Sequence, residues 1–128
     1  MEQQYLVDSN TIIDYVGNKM PDKSLQILDT FFNDNFSLSI ISKIEVLGFN
    51  DNSDELKRLN DFIGLANIVY INDTVANKTI ELRKTYKIKL PDALIAATAL
   101  VYGFILLSRN INDFKNIIGL NVVNPYSF

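Results

Sequence analysis

An apolar run that ends in an acid constrains this chain more than any other stretch. Tyr5-Leu6-Val7 is followed at once by Asp8-Ser9-Asn10-Thr11 and then by Ile12-Ile13. The pattern predicts a buried strand that turns sharply into a helix, with Asp8 on the turn. Ligands of open α/β sheets bind at the carboxyl ends of the strands, so an acid there is a candidate site residue. It is equally an ordinary place for a helix cap, and Asp8, Ser9 and Asn10 all carry side chains that cap.

The rest of the chain alternates in the same way. Thr11 to Val16 reads as a short helix ended by Gly17-Asn18, and Ser24 to Asn33 as a helix with Leu25, Ile27, Leu28, Phe31 and Phe32 on one face. Phe36 to Ile41, rich in β-favouring types, reads as a second strand, followed by a helix from Ser42 to Leu47 that breaks at Gly48. Asp51-Asn52-Ser53-Asp54 is a polar turn and cap for a helix from about Asp54 to Ile63. Ile68 to Ile71 is a third strand, and Asp73 to Tyr86 a long helix with Val75, Ile80 and Leu82 inward. Pro91 opens a helix running to about Tyr102, small and apolar almost all round and so expected to be buried, and Gly103 ends it. Ile105 to Leu107 is a fourth strand and Val122-Val123 a short fifth. Strands alternating with helices predict a three-layer α/β/α fold around a central parallel sheet of four to five strands. The length fits one domain over residues 1–128.

Composition narrows the chemistry. The chain contains neither cysteine nor histidine. Disulfides, thiolate catalysis and imidazole general bases are therefore excluded, and carboxylates remain as the main catalytic resource. A bound metal would be a hard, oxygen-seeking ion such as Mg²⁺ or Mn²⁺. Twelve Lys and Arg against fifteen Asp and Glu give a net charge of −3, which argues against a global basic field but not against local basic patches. The first residues lack the character of a signal peptide and no apolar run reaches transmembrane length, so the expectation is a soluble, cytoplasmic protein with no membrane partner.

Several acids have ordinary explanations when taken singly. Ser42-Lys43-Ile44-Glu45 matches a capping box, Asp92 follows Pro91 in a first helical turn, Asp113 fits the first turn of a terminal helix, and Asp73 reads as a helix cap. Topology changes the weight of four of them. Asp8 follows the first strand, Glu45 the second and Asp113 the fourth, while Asp92 opens the helix that leads into the fourth. All four reach one edge of a parallel sheet. Carboxylates gathered there repel one another, and a divalent cation is the natural compensation.

The same residues resemble a known family. Leu6-Val7-Asp8-Ser9-Asn10-Thr11-Ile12-Ile13-Asp14-Tyr15 looks like the opening of PIN-domain proteins, and specifically of the VapC-type toxins of bacterial toxin–antitoxin pairs. Ser42 to Gly48 resembles the family's second motif and Leu90 to Ala99 its third. Leu107 to Phe114, with Gly119-Leu120 and Asn124-Pro125, resembles its closing pattern. What the resemblance implies is a metal-dependent ribonuclease whose carboxylates match Asp8, Glu45, Asp92 and an acid after the fourth strand. Asp113 is favoured there, with Asn10, Ser108 and Asn110 as polar support. The resemblance further implies an RNA substrate, a co-encoded antitoxin and a homodimer.

Without histidine or cysteine, phosphodiester cleavage would depend on one or two Mg²⁺ or Mn²⁺ ions that activate a water. Lys43, Lys87, Lys89 and Arg109 are candidate phosphate contacts. Arg83, Lys84, Lys87 and Lys89 place four cations within seven residues just before Asp92. Two other classes compete. A Mg-dependent phosphoacceptor or phosphatase-like domain would want a second acid beside Asp8, which Asp8-Ser9-Asn10 lacks. A catalytically idle PIN-fold interaction module would have no need of the four acids.

Overall fold

In the computed structural model, residues 3–48 and 53–128 are described. The polar turn expected at Asp51-Asn52 lies outside them. Five strands, β1 (Tyr5–Val7), β2 (Ser37–Ser39), β3 (Asn67–Val69), β4 (Ile105–Leu107) and β5 (Val122–Val123), form one parallel sheet in the order β3-β2-β1-β4-β5. The helices are α1 (Ser9–Val16), α2 (Asp22–Asn33), α3 (Ile40–Leu47), α4 (Ser53–Ile63), α5 (Asp73–Thr85), α6 (Leu90–Tyr102) and α7 (Ile111–Phe114). A 3-10 turn at Pro125–Ser127 follows β5.

Alternation along the central strands sends side chains into two separate cores, and this makes the fold three layers. Leu6 and Leu106 join Val75 and Leu82 of α5, Ile95 to Ala97 of α6, and Phe114. Val7 and Leu107 join Ile12, Leu28 and Phe32 of the first two helices, with Val46 and Leu59. All four strand residues have no exposed surface, and complete burial of a Leu contributes about 2 kcal/mol. Because both faces are apolar, side-chain alternation alone leaves the register of β1 undecided. The acid settles it: Val7 pairs with Leu107, so Asp8 leaves the sheet beside Ser108. A slip of one residue inward would strand the carboxylate among apolar side chains without a partner, at a cost of several kcal/mol.

The helix expected to be small, apolar and buried is α6, with Ala93 and Ile95 to Ala99 all inside. Gly103 ends it at φ +72°, a left-handed turn that a glycine adopts without steric cost. Gly17-Asn18 closes α1 differently, since Asn18 and not the glycine takes positive φ.

Four local expectations are corrected. The second strand is only Ser37–Ser39, and Ile40 and Ile41 already belong to α3. Ser39, not Ser42, caps that helix by accepting the Ile41 N–H at 3.1 Å. The capping box therefore does not form, and Ser42 is buried inside the helix with no hydrogen-bond partner for its Oγ among the described residues. Asn72 caps α5 by accepting the Val75 N–H, so Asp73 is a first-turn residue and not the cap. Ile80 of α5 is 54% exposed, outside the inward stripe of Val75, Thr79 and Leu82.

Candidate metal and nuclease site

Chain order places β1 and β2 on one side and β4 and β5 on the other, so the crevice where the winding reverses lies at the carboxyl ends of β1 and β4. Asp8 stands in it, only 4% exposed. Its backbone N–H continues the ladder to Leu107 O at 3.0 Å, and its side chain caps α1. Oδ1 accepts the Ser9 N–H at 2.8 Å, and Oδ2 accepts the Ser108 hydroxyl at 2.7 Å. The cap is thus Asp8 itself, and the alternative of Ser9 or Asn10 holding the turn is not adopted. Two donors and the positive end of α1 favour the carboxylate, but burial outweighs them and raises its pKa, with a further push from the charge of Asp113.

Ser9 connects Asp8 to the second acid. Its hydroxyl lies 3.2 Å from Glu45 Oε1 and 3.5 Å from Asp8 Oδ1, so one proton serves either carboxylate. Glu45, released from the expected capping box, points from α3 towards α1. Burial raises its pKa, the Ser9 hydrogen bond opposes the shift, and the charge of Asp8 adds to it.

Asp92 lies in the first turn of α6, where Pro91 supplies the fixed φ of a helix start and the missing N–H costs nothing. Burial raises its pKa most, and the charges of Asp113, Asp8 and Glu45 push the same way, with Lys89 pulling against them. Each of the four acids therefore takes part in one electrostatic system. Asp113 sits in α7, exposed, and α7 itself is pinned by Phe114, which has no exposed surface.

Ser108 has a double task. While its hydroxyl donates to Asp8, its oxygen accepts the Asn110 N–H at 3.0 Å and shapes the loop from β4 to α7. The Asn110 side chain makes no capping bond, and Asn10 is partly buried on α1. Of the candidate cations, Arg109 is drawn away: its Nη1 pairs with Asp14 Oδ2 at 3.2 Å, and Asp14 also accepts from the Tyr126 hydroxyl. Lys89 and Lys87 flank a cavity that contains Asp92 and Asp113. Lys43, on α3 two residues before Glu45, is partly buried.

The donors fit a hard divalent cation in kind: oxygen ligands only, several negative charges, and raised pKa values that a cation would relieve. Among the described residues no three acids converge closely enough to ligate one ion together as placed. The Ser9 bridge and the Asp14–Arg109–Tyr126 contacts had no signature in the sequence, because their partners lie 36 to 112 residues apart.

Comparison with known proteins agrees with this architecture. The family model described as the PIN domain matches residues 5–120. A toxin–antitoxin complex from Klebsiella pneumoniae contains a chain with 31% identity and a TM-score of 0.79, covering 96% of this chain and 98% of that one. The DNA-bound VapBC of Salmonella typhimurium matches at 22% identity and TM-score 0.80, over 97% and 99% of the two chains. FitAcB from Neisseria gonorrhoeae matches at 21% and 0.79, over 98% and 100%. No curated protein sequence matches significantly.

Proposed function

This chain belongs to the PIN-domain family, and on that premise we propose that it is a divalent-metal-dependent endoribonuclease, the toxin of a type II toxin–antitoxin pair. The observation that carries the reading is the anchored Asp8. A carboxylate with both oxygens hydrogen-bonded, at the reversal point of the sheet, shares its electrostatic field with Glu45, Asp92 and Asp113. The 31% identity to a chain of a toxin–antitoxin complex supports the toxin assignment.

In this reading Asp8 and Asp92 would be the principal ligands of Mg²⁺ or Mn²⁺, Glu45 would be a further ligand or orient the attacking water, and Asp113 would complete a second ion's site. The bound ion would polarise the phosphate and lower the pKa of water. The chain's own groups do the rest. Ser108 and the Ser9 N–H hold Asp8 in one orientation, and the Ser9 hydroxyl steers Glu45. The raised pKa of Glu45 brings it nearer to that of a useful base. Lys87 and Lys89 offer positive charge to the RNA backbone, while Arg109 braces the loop after β4 against α1. A phosphoacceptor role for Asp8 is disfavoured, since Ser9 and Asn10 supply no second acid beside it.

We further propose that residues 1–128 act as one PIN domain, that an antitoxin covers the acidic crevice, and that the toxin is a cytoplasmic homodimer. Among the described residues no helix is long and apolar enough to cross a membrane. The test is direct. Purified protein is incubated with structured RNA, with Mg²⁺ or Mn²⁺ or with chelator. Cleavage that needs the metal and is lost in Asp92→Asn is expected; cleavage equal in Asp92→Asn and wild type overturns the assignment. Co-purification with the product of the adjacent gene, and sedimentation of the pair, test the partner and the dimer.

A further inference from the structure

Beside the acids the surface opens into a cavity of about 340 Å³, small among ligand pockets, between the α5–α6 connection and α7. Its composition does not suit a site that only holds a cation. Tyr86, Ile88 and Ile117 line it and also pack on the core, which gives it an apolar ground. Asn112 and Asn116 stand exposed at its other side with carboxamides that no partner among the described residues engages. Lys87 and Lys89 add positive charge at the margin, and Asp92 and Asp113 connect it to the crevice. The two walls are tied together, because the Tyr86 hydroxyl accepts the Ile118 N–H at 3.1 Å.

An apolar ground, two free amides, a cationic margin and a route to the reacting acids match the parts of one nucleotide: the flat face of a base, its donor and acceptor edge, and its phosphate. We propose that this cavity is a base-reading subsite, which takes one unpaired nucleotide of a single-stranded RNA next to the scissile phosphate. Asn112 and Asn116 then determine which base is preferred. A carboxamide carries both a donor and an acceptor, so it discriminates between base edges where a lysine would not. The proposal rests on the nuclease reading for the identity of the polymer, while the cavity's chemistry stands apart from it.

Two experiments decide it and keep the two readings distinguishable. The first needs no cleavage: metal-free ¹⁵N-labelled protein is titrated with each of the four ribonucleoside 5′-monophosphates and with ribose 5-phosphate. Shifts at the backbone amides of residues 86–89 and 112–118, different among the four and weaker for ribose 5-phosphate, are expected. Equal shifts for ribose 5-phosphate, or shifts confined elsewhere, overturn the subsite. In the second, wild type and Asn112→Ala/Asn116→Ala cleave a randomised single-stranded RNA. Both residues are exposed, so the variant should unfold with the wild-type midpoint, and its preference at one position next to the cut should fall about tenfold. An unchanged preference overturns the proposal, as does a cavity that ignores all four mononucleotides and is filled only by an inhibitory protein partner. Failure of wild type to cleave any RNA counts against the nuclease reading, and the titration still decides the subsite.

Discussion

The Ser108 hydroxyl donates to Asp8 Oδ2 at 2.7 Å, and the same oxygen accepts the Asn110 N–H at 3.0 Å. One buried side chain thus sets both the orientation of the central carboxylate and the path of the loop that carries Asp113.

Ser108→Ala should therefore cost more than a typical surface change. It leaves Oδ2 of a nearly enclosed carboxylate and a backbone N–H without their partner, a penalty of about 1–3 kcal/mol. Denaturant unfolding should show that loss, and nuclease activity should fall while Thr at this position retains most of it. Stability and activity equal to wild type in the alanine variant would remove Ser108 from the site.

The raised pKa values set the direction of a pH effect. Below about 3.8, the ordinary value for Asp, the Asp92 carboxyl is protonated in both folded and unfolded chains. The folded protein holds that proton more tightly, so its contribution to stability is fully present at low pH and is lost as pH rises through the raised folded pKa. In chelator at pH 7, Asp92→Asn should melt at a higher temperature than wild type, with the gap closing towards pH 4. Divalent ion should then stabilise wild type more than the variant. A gap independent of pH would show that Asp92 is not under the strain described.

Asp113 and Asn110 are separable. The charge of Asp113 acts on both Asp8 and Asp92, whereas Asn110 contributes its backbone N–H to the loop and its side chain makes no capping bond. Asp113→Asn should weaken metal affinity by about 10- to 100-fold, seen as a higher Mg²⁺ requirement for cleavage. Asn110→Ala should change it little. The reverse order would assign the closing position of the site to Asn110.

Gly103 offers a test of the fold alone. A Cβ there would meet nothing within 4 Å, so the penalty of Gly103→Ala comes only from φ +72°. About 1 kcal/mol of stability should be lost, with nuclease activity unchanged. A larger loss would point to crowding at the α6–β4 turn.

What the sequence determined by itself were the features that local chemistry dictates. The apolar Tyr5-Leu6-Val7 run broken by Asp8, the small apolar helix opened by Pro91 and closed by Gly103, and the strand–helix alternation were each legible, because each is set by burial, φ preference or periodicity within a few residues. The edge shared by Asp8, Glu45, Asp92 and Asp113 also followed, since every βα unit of a parallel sheet points the same way. The start of α3 was misplaced because Ser39 and Ser42 are both competent caps, and the local pattern does not choose between them, whereas the fold uses Ser39. Tertiary structure alone decided which hydroxyl serves which carboxylate: that Ser9 reaches Glu45, Ser108 reaches Asp8, and Arg109 turns to Asp14. These contacts join residues 36 to 100 positions apart, and their energies depend on ångström-scale distances that no local pattern encodes.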